Sequence, residues 1–463
     1  MSKPCARQYL NLKTATMNKL QQLIEKYRTN GPRYTSYPTA LHFSENCDRE
    51  NLVRLALAGG KEASLYVHIP FCRSLCAFCG CSSSVCLNPA EVDDYLALLE
   101  TELELWRRAG LQRRVLKQIH FGGGTPNFLT AEQIFRLNAA IERHFEKDAL
   151  DCEFSVELDP RTLTWEKVSA FASIGVNRAS IGVQDTDIRT QKAIGRIQPQ
   201  EKNLEAVEWL RKSGIDKINV DLVYGLPFQT AEGFLNTARD ALELRPTRIA
   251  LFGYAHVPWI KASQKSLERY PMPNPAEKAG IFLAAKDAFE KSGFEFIGLD
   301  HFALPADPLI QARKDGTLHR NFQGYTTRAG LDCFAVGLTS ISETKTSYRQ
   351  NSKGLDEYRR LLRAGELPIA RGIVLDAEDI LRRAVIMDVM CLLNVRFDRY
   401  GADFCKKFAS AFPALEEMQA DGLVEIFDDR FEVTTLGRLF VRNIAMLFDG
   451  RLGGEKSSYS KTL

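Results

Sequence analysis

The feature that most constrains the fold is a regular alternation of short β-branched runs with amphipathic helical segments, which begins at Lys61. Several runs are apolar on both faces, as parallel strands covered by helices are. The segments between them carry apolar stripes at helical spacing, and Pro89–Trp106 follows an Asn that can cap it. Six such units predict an α/β fold with a parallel sheet, open or curled towards a (β/α) barrel. The predicted strands are Ser64–Ile69, Leu116–Phe121, Glu153–Leu158, Ala179–Val183, Lys217–Leu222 and Arg248–Phe252.

The length of 463 residues exceeds the roughly 250–300 residues at which a single core stops growing. The alternation stops after about Leu375, and the first 50 residues predict one helix, Met17–Tyr27, and then irregular chain. We therefore expect an N-terminal extension near the active site (1–50), a catalytic barrel domain (51–370) and a mostly helical C-terminal domain (371–463). The last domain is predicted to contain the helices Asp376–Leu393, Phe404–Gln419 and Leu436–Phe448 and a hairpin, Leu423–Val433, that turns at Asp428–Asp429.

Charge and hydropathy argue against several classes of protein. The 61 basic and 58 acidic side chains leave a net charge of +3, which does not favour a nucleic-acid or membrane-surface protein. No stretch approaches the ~18 consecutive apolar residues of a membrane span. The first residues lack the apolar core and cleavage site of a secretory signal. We expect a cytoplasmic protein with no nucleic-acid partner and no membrane span.

Five of the eleven cysteines fall within fifteen residues, and such clustering in a cytoplasmic chain indicates metal binding or redox chemistry. The spacing Cys72-x3-Cys76-x2-Cys79 lets three thiolates bind three irons of a [4Fe–4S] cluster and leaves the fourth iron open. A closed zinc site is the alternative, with its fourth ligand from Cys81, Cys86 or His68. The motif follows the first predicted strand and would lie beside a glycine-rich loop, which favours the cluster.

Glycines and polar residues follow each of the other predicted strands, where α/β enzymes place their active sites. These segments are Gly122–Pro126, Asp159–Pro160, Gln184–Asp185, Tyr224–Pro227 and Gly253–His256. Taken together with the cysteine motif, they predict a site at one edge of the sheet.

The motifs, in this order, resemble those of the oxygen-independent coproporphyrinogen III oxidases (coproporphyrinogen dehydrogenases), a family of the radical S-adenosylmethionine (SAM) superfamily. The resemblance runs from about Gly31 to Asp449. It implies a partial (β/α)6-type radical SAM barrel with an N-terminal extension and a mostly helical C-terminal domain. The segments that carry it are Pro32–Ala40, Tyr66–Cys72, Cys76–Cys81, Gly122–Pro126, Gly182–Asp185, Asp221–Pro227, Gly298–Pro305, Leu318–Thr327 and Leu436–Asp449.

The resemblance implies an oxidoreductase of haem biosynthesis with a [4Fe–4S] cluster and two SAM molecules per active site. A 5′-deoxyadenosyl radical from SAM would drive the anaerobic oxidative decarboxylation of two propionates of coproporphyrinogen III to vinyl groups, giving protoporphyrinogen IX. A low-potential electron donor and a monomeric state are also expected. The alternative is a related haem chaperone without decarboxylase activity. A cysteine at the Cys81 position and the YTSYPT segment after Arg33 favour the oxidase.

The family's site residues are carried over by motif position. Cys72, Cys76 and Cys79 are the expected cluster ligands. Contacts to the first SAM are expected from Tyr66, Gly123, Glu157 and Ile341, and contacts to the second from Phe78, Gly124, Thr125, Gln184, Arg196, Asp221 and Ala255. Cys81 is either a catalytic residue near the radical or a spare thiol, and His68 either a catalytic proton donor or a core imidazole. Substrate carboxylates could pair with Arg33, His319 and Arg320, whose alternative is solvated surface charge.

Overall fold

The computed structural model describes residues 19–453 and 459–462. Its centre is a sheet in which six strands run parallel in chain order. Each strand lies within two residues of its predicted position. The strands are β1 (Glu62–Ile69), β2 (Arg114–Gly123), β3 (Glu153–Leu158), β4 (Arg178–Gln184), β5 (Lys217–Tyr224) and β6 (Arg248–Gly253).

Helices connect these strands and cover the sheet. In the first connection, the Asn88 side chain accepts a hydrogen bond from the Ala90 N–H and Pro89 occupies the first turn. In the second, Thr130 and Gln133 form a capping box. The buried sides of these helices join the main hydrophobic core, except that of Ile188–Ile194, whose Ile194 packs in a smaller cluster with Val223 and Leu226. The connecting helices are Pro89–Arg108, Ala131–His144, Trp165–Ser173, Ile188–Ile194, Gln200–Lys212 and Ala231–Glu243.

Six further strands, which the sequence analysis did not predict, extend the sheet on both sides. They are β7 (Glu295–Gly298), β8 (His301–Ala303), β9 (Asp332–Val336), β10 (Ile341–Glu343), β11 (Ser347–Asn351) and β12 (Ile369–Val374). The first pair lies next to β6, whereas the third of the six pairs with β1 in parallel. The order is β7-β8-β6-β5-β4-β3-β2-β1-β9-β10-β11-β12, and within the described residues the sheet does not close. The expected partial, open barrel is confirmed.

Shorter elements complete the barrel region. The helix Pro275–Lys291 lies between β6 and β7, and a two-stranded ribbon precedes β9. Phe145–Lys147 is a short strand beside β2. The remaining elements are the helices Arg49–Leu57, Pro308–Lys314 and Leu355–Arg363 and the ribbon strands His319–Asn321 and Gly324–Thr326.

The C-terminal region begins with the helix Ala377–Cys391, and the predicted hairpin is confirmed, with strands Val424–Ile426 and Arg430–Val433 joined by a third strand, Asn394–Arg396. The predicted continuous helix Phe404–Gln419 is wrong. It is broken into Phe404–Lys407, a 3₁₀ turn and Phe412–Ala420, because Pro413 has no N–H and starts a new helix instead of continuing the old one. The predicted helix Leu436–Phe448 is a 3₁₀ turn, Gly437–Phe440, followed by Val441–Met446.

The N-terminal helix, described over 19–27, packs into the core of the C-terminal region and not into the main core. Met17 and Asn18, the start of the predicted helix, lie outside the described residues. Arg442 in the C-terminal region donates to the carbonyl oxygens of Gly31 and Pro32 and so holds the segment after this helix. Among the described helices, none is both long and apolar enough to span a bilayer.

Candidate active site

The cysteine motif forms a loop that is closed at its base. Cys72 ends a two-residue strand, Phe71–Cys72, that pairs in parallel with Ser84–Val85. Within the loop the Cys79 N–H donates to the Cys76 carbonyl at 3.0 Å. The strand pairing returns Ser84–Val85 to the chain that directly follows β1. The loop between them, with its three cysteines, is therefore held at the carboxyl edge of the sheet.

Hydrogen-bond donors surround the thiols. The Cys72 Sγ lies 3.3 Å from the Thr125 hydroxyl, and burial raises the pKa of this thiol. The buried Cys76 Sγ lies 3.8 Å from Nη1 of Arg196 and 3.9 Å from Nη2 of Arg161. A hydrogen bond from the Cys81 thiol lowers the pKa of Cys79 to about 6. Donors of this kind stabilise thiolates, so the loop fits an anionic, thiolate-bound cluster.

Two of the three candidates for a fourth zinc ligand, His68 and Cys86, are engaged elsewhere, whereas the Cys81 thiol donates a hydrogen bond to Cys79 within the loop. His68 donates from Nε2 to the Ser82 carbonyl at 2.8 Å and accepts from the Tyr66 hydroxyl at Nδ1 at 2.9 Å. Burial lowers its pKa, so the imidazole is neutral at pH 7. The Cys86 thiol donates to the Asn88 carbonyl. Over the part of the chain that the structure describes, no three His, Cys, Asp or Glu side chains could hold one metal ion.

The glycine run after β2 allows a close approach to the cysteine loop. The Gly124 N–H donates to the Ile69 carbonyl at 2.7 Å, and a Cβ on Gly124 would lie 2.7 Å from backbone atoms of Pro70. Gly123 has φ +115°, which side chains other than that of glycine rarely adopt. Glycine is therefore required here for packing, and the run leaves backbone groups open to a ligand.

Glu157 at the end of β3 is held as an accessible carboxylate. Its oxygens accept from Nε2 of His120 at 3.0 Å and from the Gly123 N–H at 3.2 Å. Burial is the largest single influence on its pKa and acts to raise it, but the hydrogen bonds from His120 and Gly123 and the neighbouring imidazoles together outweigh burial and leave the pKa lowered. Because 44% of the side chain stays accessible, the carboxylate can accept a hydrogen bond from a ligand, and the Tyr66 ring stacks on His120 beside it.

Arg196 belongs to a buried ion-pair network that sequence reasoning missed. Its two terminal nitrogens each lie 3.2 Å from an oxygen of Asp159, and Nη2 also donates to the Gly182 carbonyl at 2.6 Å. Arg161 binds the same Asp159 carboxylate at 2.7 Å. The Nε of Arg196 has no partner among the described residues. The only feature of the sequence that could have indicated this network was the position of Asp159 directly after β3.

The other predicted SAM contacts lie in the strands or within two residues of their carboxyl ends, except Phe78, which lies in the cysteine loop. Burial raises the pKa of Asp221 in β5 to about 7, although Ser180 and Asn219 donate to its carboxylate. Gln184 ends β4, and the Phe78 carbonyl accepts from Gln264. Ile341 starts β10, which runs back antiparallel to β9 from the same edge of the sheet, and it packs with the apolar cluster of Phe43, Tyr348 and Leu375.

Comparisons with known proteins identify the family. The radical SAM superfamily model matches residues 66–241, and the HemN C-terminal domain model matches residues 375–440. Oxygen-independent coproporphyrinogen III oxidase of Helicobacter pylori (strain J99) is 40% identical over 95% of this chain and 98% of its own length. The Escherichia coli K12 oxidase is 40% identical over 92% of this chain and 94% of its own. The chain belongs to the oxygen-independent coproporphyrinogen III oxidase family.

A solved structure agrees with this assignment. The coproporphyrinogen III oxidase HemN from Escherichia coli, described as a radical SAM enzyme, superposes with a TM-score of 0.87 at 39% identity over 91% of this chain and 98% of that one. This family member is therefore a radical SAM oxidoreductase, and its superfamily implies a [4Fe–4S] cluster and SAM as cofactors.

The structure separates the three residues that the sequence offered to substrate carboxylates. Arg33 pairs with Asp300 beyond the end of β6. Arg320 is 4% exposed, and its Nε and Nη1 have no partner among the described residues. His319 instead lines a separate cavity with Arg383 and Tyr400, and burial lowers its pKa to about 4. Arg33 and Arg320 stay candidates for binding substrate carboxylates, whereas no residue of the cysteine loop lines the cavity that contains His319.

Proposed function

We propose that this chain converts coproporphyrinogen III to protoporphyrinogen IX by the anaerobic oxidative decarboxylation of two propionate side chains to vinyl groups. The observation that carries the proposal is end-to-end similarity to named oxidases, at 40% identity over 95% of the chain, combined with a cysteine loop at the carboxyl edge of the sheet. Such an edge is where barrel enzymes hold their reacting groups. The reaction belongs to haem biosynthesis.

We assign the cluster to Cys72, Cys76 and Cys79. The Thr125 hydroxyl and the Arg161 and Arg196 guanidinium groups lie within 3.9 Å of these sulfurs and support the assignment. When bound and reduced, the cluster would supply the electron for cleavage of SAM to methionine and a 5′-deoxyadenosyl radical, the group that would remove a hydrogen from a substrate propionate. The protein's part is to hold these groups in position and to exclude water.

Two SAM molecules are assigned to the strand ends around the loop. Glu157 would accept from a ribose or ammonium group of the first, which Tyr66, Gly123 and Ile341 would also contact. The second would contact Phe78, Gly124, Thr125, Gln184, Arg196, Asp221 and Ala255. Because Asp159 already binds both terminal nitrogens of Arg196, the free Nε is the atom that we assign to this ligand.

The contacts of Cys81 and His68 lead us to assign them different roles. The Cys81 thiol donates to Cys79 and lies on an exposed residue of the loop, so we propose that it acts on hydrogen or proton transfer near the substrate. His68 is neutral and holds Tyr66 and Ser82, and a catalytic role would require it to release one of these partners.

The wider assignment completes the proposal. The barrel, 51–370, would carry the reaction, the extension 1–50 would lie near the active site and the domain 371–463 would support both. We propose a monomer that receives electrons from a low-potential donor. The ten described cysteines are free thiols, as expected in the reducing cytoplasm where we place the enzyme.

An anaerobic assay tests the function. Reconstituted protein is incubated with coproporphyrinogen III, SAM and a low-potential reductant, and products are separated by chromatography. We expect protoporphyrinogen IX from the native protein and from Cys405→Ser, which changes an exposed cysteine outside the loop, and none from Cys76→Ser. Iron-replete native protein that binds haem but forms no product would be a haem chaperone instead.

A further inference from the structure

A cavity of about 490 Å³ opens at the carboxyl ends of β5 and β6. Its walls come from the helix 19–27 and the segment after it, from the loops that follow the two strands, from the helix Pro275–Lys291, and from the C-terminal segments 438–442 and 459–462. Tyr254, Leu267 and Met272 line it and also belong to the apolar cluster that packs against Phe78 of the cysteine loop. The volume lies within the range of about 300–1,000 Å³ typical of ligand pockets. A ligand-sized space therefore adjoins the cluster site.

Positive charge dominates this cavity. Its two acidic residues are already engaged, because Asp300 accepts from Arg33 and Glu268 accepts from Nε2 of His256 at 3.0 Å. The basic side chains outnumber them and come from the N-terminal segment, from the helix Pro275–Lys291 and from the C-terminal segments. They are Arg28, Arg33, Lys278, Arg438, Arg442 and Lys461.

Among the described residues, Arg33 is the only one of these six cations that forms an ion pair with a carboxylate. Lys278 donates to the Tyr254 carbonyl at 2.8 Å, and Arg442 donates only to backbone carbonyls. The exposed Arg28 side chain has neither a hydrogen-bond nor an ion-pair partner in the described chain. Burial, together with repulsion from Arg33, lowers the pKa of Lys278 to about 8 and that of Arg442 to about 9. A bound anion would relieve this repulsion.

The excess of positive charge continues inward from Arg33. The Arg33 guanidinium lies 5.9 Å from the centre of the Phe252 ring, and His301 meets the same ring edge-on. Burial and repulsion from Arg320 and Arg33 hold the pKa of His301 well below its usual range. Arg320 lacks partners at Nε and Nη1 among the described residues. An unpaired buried guanidinium is costly, so this region too favours an anionic ligand.

We propose that the cavity binds the carboxylates of a tetrapyrrole substrate, with Lys278 and Arg28 as carboxylate ligands and the apolar walls against the ring system. Leu20, Trp259 and Phe282 supply apolar surface beside the cations, and Trp259 is 64% exposed at the cavity. A ligand with an apolar body and several peripheral carboxylates matches this arrangement. The inference rests on the proposed function and adds the substrate site to it.

The α-carboxylate of SAM offers the same chemistry, because Ala255 lines the cavity and is an expected contact of the second SAM. Two arms of one experiment distinguish a substrate carboxylate from the SAM carboxylate as the ligand of these cations. Coproporphyrin III, the stable oxidised form of the substrate, is titrated by fluorescence into anaerobic holoenzyme with and without saturating SAM. The uncharged coproporphyrin III tetramethyl ester is titrated in parallel.

The variants are Lys278→Met and Arg28→Met, with Lys291→Met as the matched control on the helix of Lys278. Lys291 is 73% exposed and pairs with Asp287 away from the cavity. Each cavity variant should bind coproporphyrin III about tenfold or more weakly. The control should bind as the native protein does, saturating SAM should not displace the porphyrin, and the ester should not distinguish the variants. Arg28 is exposed, so its variant stays informative even if Lys278→Met does not fold.

Native-like coproporphyrin III affinity in both cavity variants would overturn the proposal. So would displacement of the porphyrin by SAM together with an equal loss of SAM affinity in both variants. Turnover assays distinguish failure of the proposed substrate site from failure of the proposed function. A native protein that binds coproporphyrin III through Lys278 but forms no protoporphyrinogen IX would refute the function and keep the site. Normal turnover, with KM unchanged in both variants, would refute the site alone.

Discussion

Substitution of Gly124 by Ala should displace the cysteine loop while leaving the barrel folded. The new Cβ would lie 2.7 Å from the carbonyl carbon and oxygen of Pro70 and 2.8 Å from the Phe71 oxygen. These are backbone atoms and cannot rotate away. Separation to a normal contact of about 3.5 Å requires a shift of about 0.8 Å, whereas metal–ligand distances tolerate about 0.2 Å. The shift acts within two residues of Cys72, and overpacking of this kind costs about 1–3 kcal/mol.

We therefore expect Gly124→Ala to remain folded but to bind much less iron after anaerobic reconstitution. Iron and sulfide per chain, the absorption spectrum and thermal unfolding are measured on one preparation. Gly280→Ala is the matched control, because its Cβ meets nothing within 4 Å and it lies in the helix Pro275–Lys291, where alanine stabilises by about 1 kcal/mol. A Gly124→Ala protein with native iron content, spectrum and turnover would refute the reasoning that the glycine run positions the loop.

Three further outcomes are expected. Cys81→Ser should keep its iron and its absorption spectrum but form little product, as shown by iron analysis and chromatography; full product yield would make the thiol dispensable, and iron loss would make it a ligand. Arg161→Gln removes a hydrogen-bond donor 3.9 Å from the Cys76 sulfur. Because donors to sulfur stabilise the reduced cluster, its reduction potential should become more negative in an EPR-monitored titration, and an unchanged potential would contradict this. Burial raises the pKa of Glu102 from 4.5 to about 7. Because the carboxyl group ionises first in the unfolded chain, the native protein should lose about 3 kcal/mol of stability relative to Glu102→Gln as pH rises from 4.5 to 7. An equal pH dependence of the unfolding free energy in both proteins would contradict this.

The barrel strands and the cysteine motif could be predicted because their signals are local. Apolar alternation and capping residues are read within one element, and the spacing of Cys72, Cys76 and Cys79 defines one short loop. The strands after β6 were missed because they are short and their pairing is distant, as when β9 joins β1. The break at Pro413 was a local signal that the reading overlooked.

Sequence alone determined the order of the strands, the edge at which the functional loops meet and the residue types of the site. Tertiary structure decided which side chains pair there. Arg161 and Arg196 reach Cys76 across 85 and 120 residues, and Asp159 occupies the guanidinium nitrogens that the sequence would have assigned to a ligand carboxylate. The cationic cavity likewise needs the first and last described segments together. Such pairings depend on which buried charges become neighbours on folding, and a local pattern of residues carries no record of that.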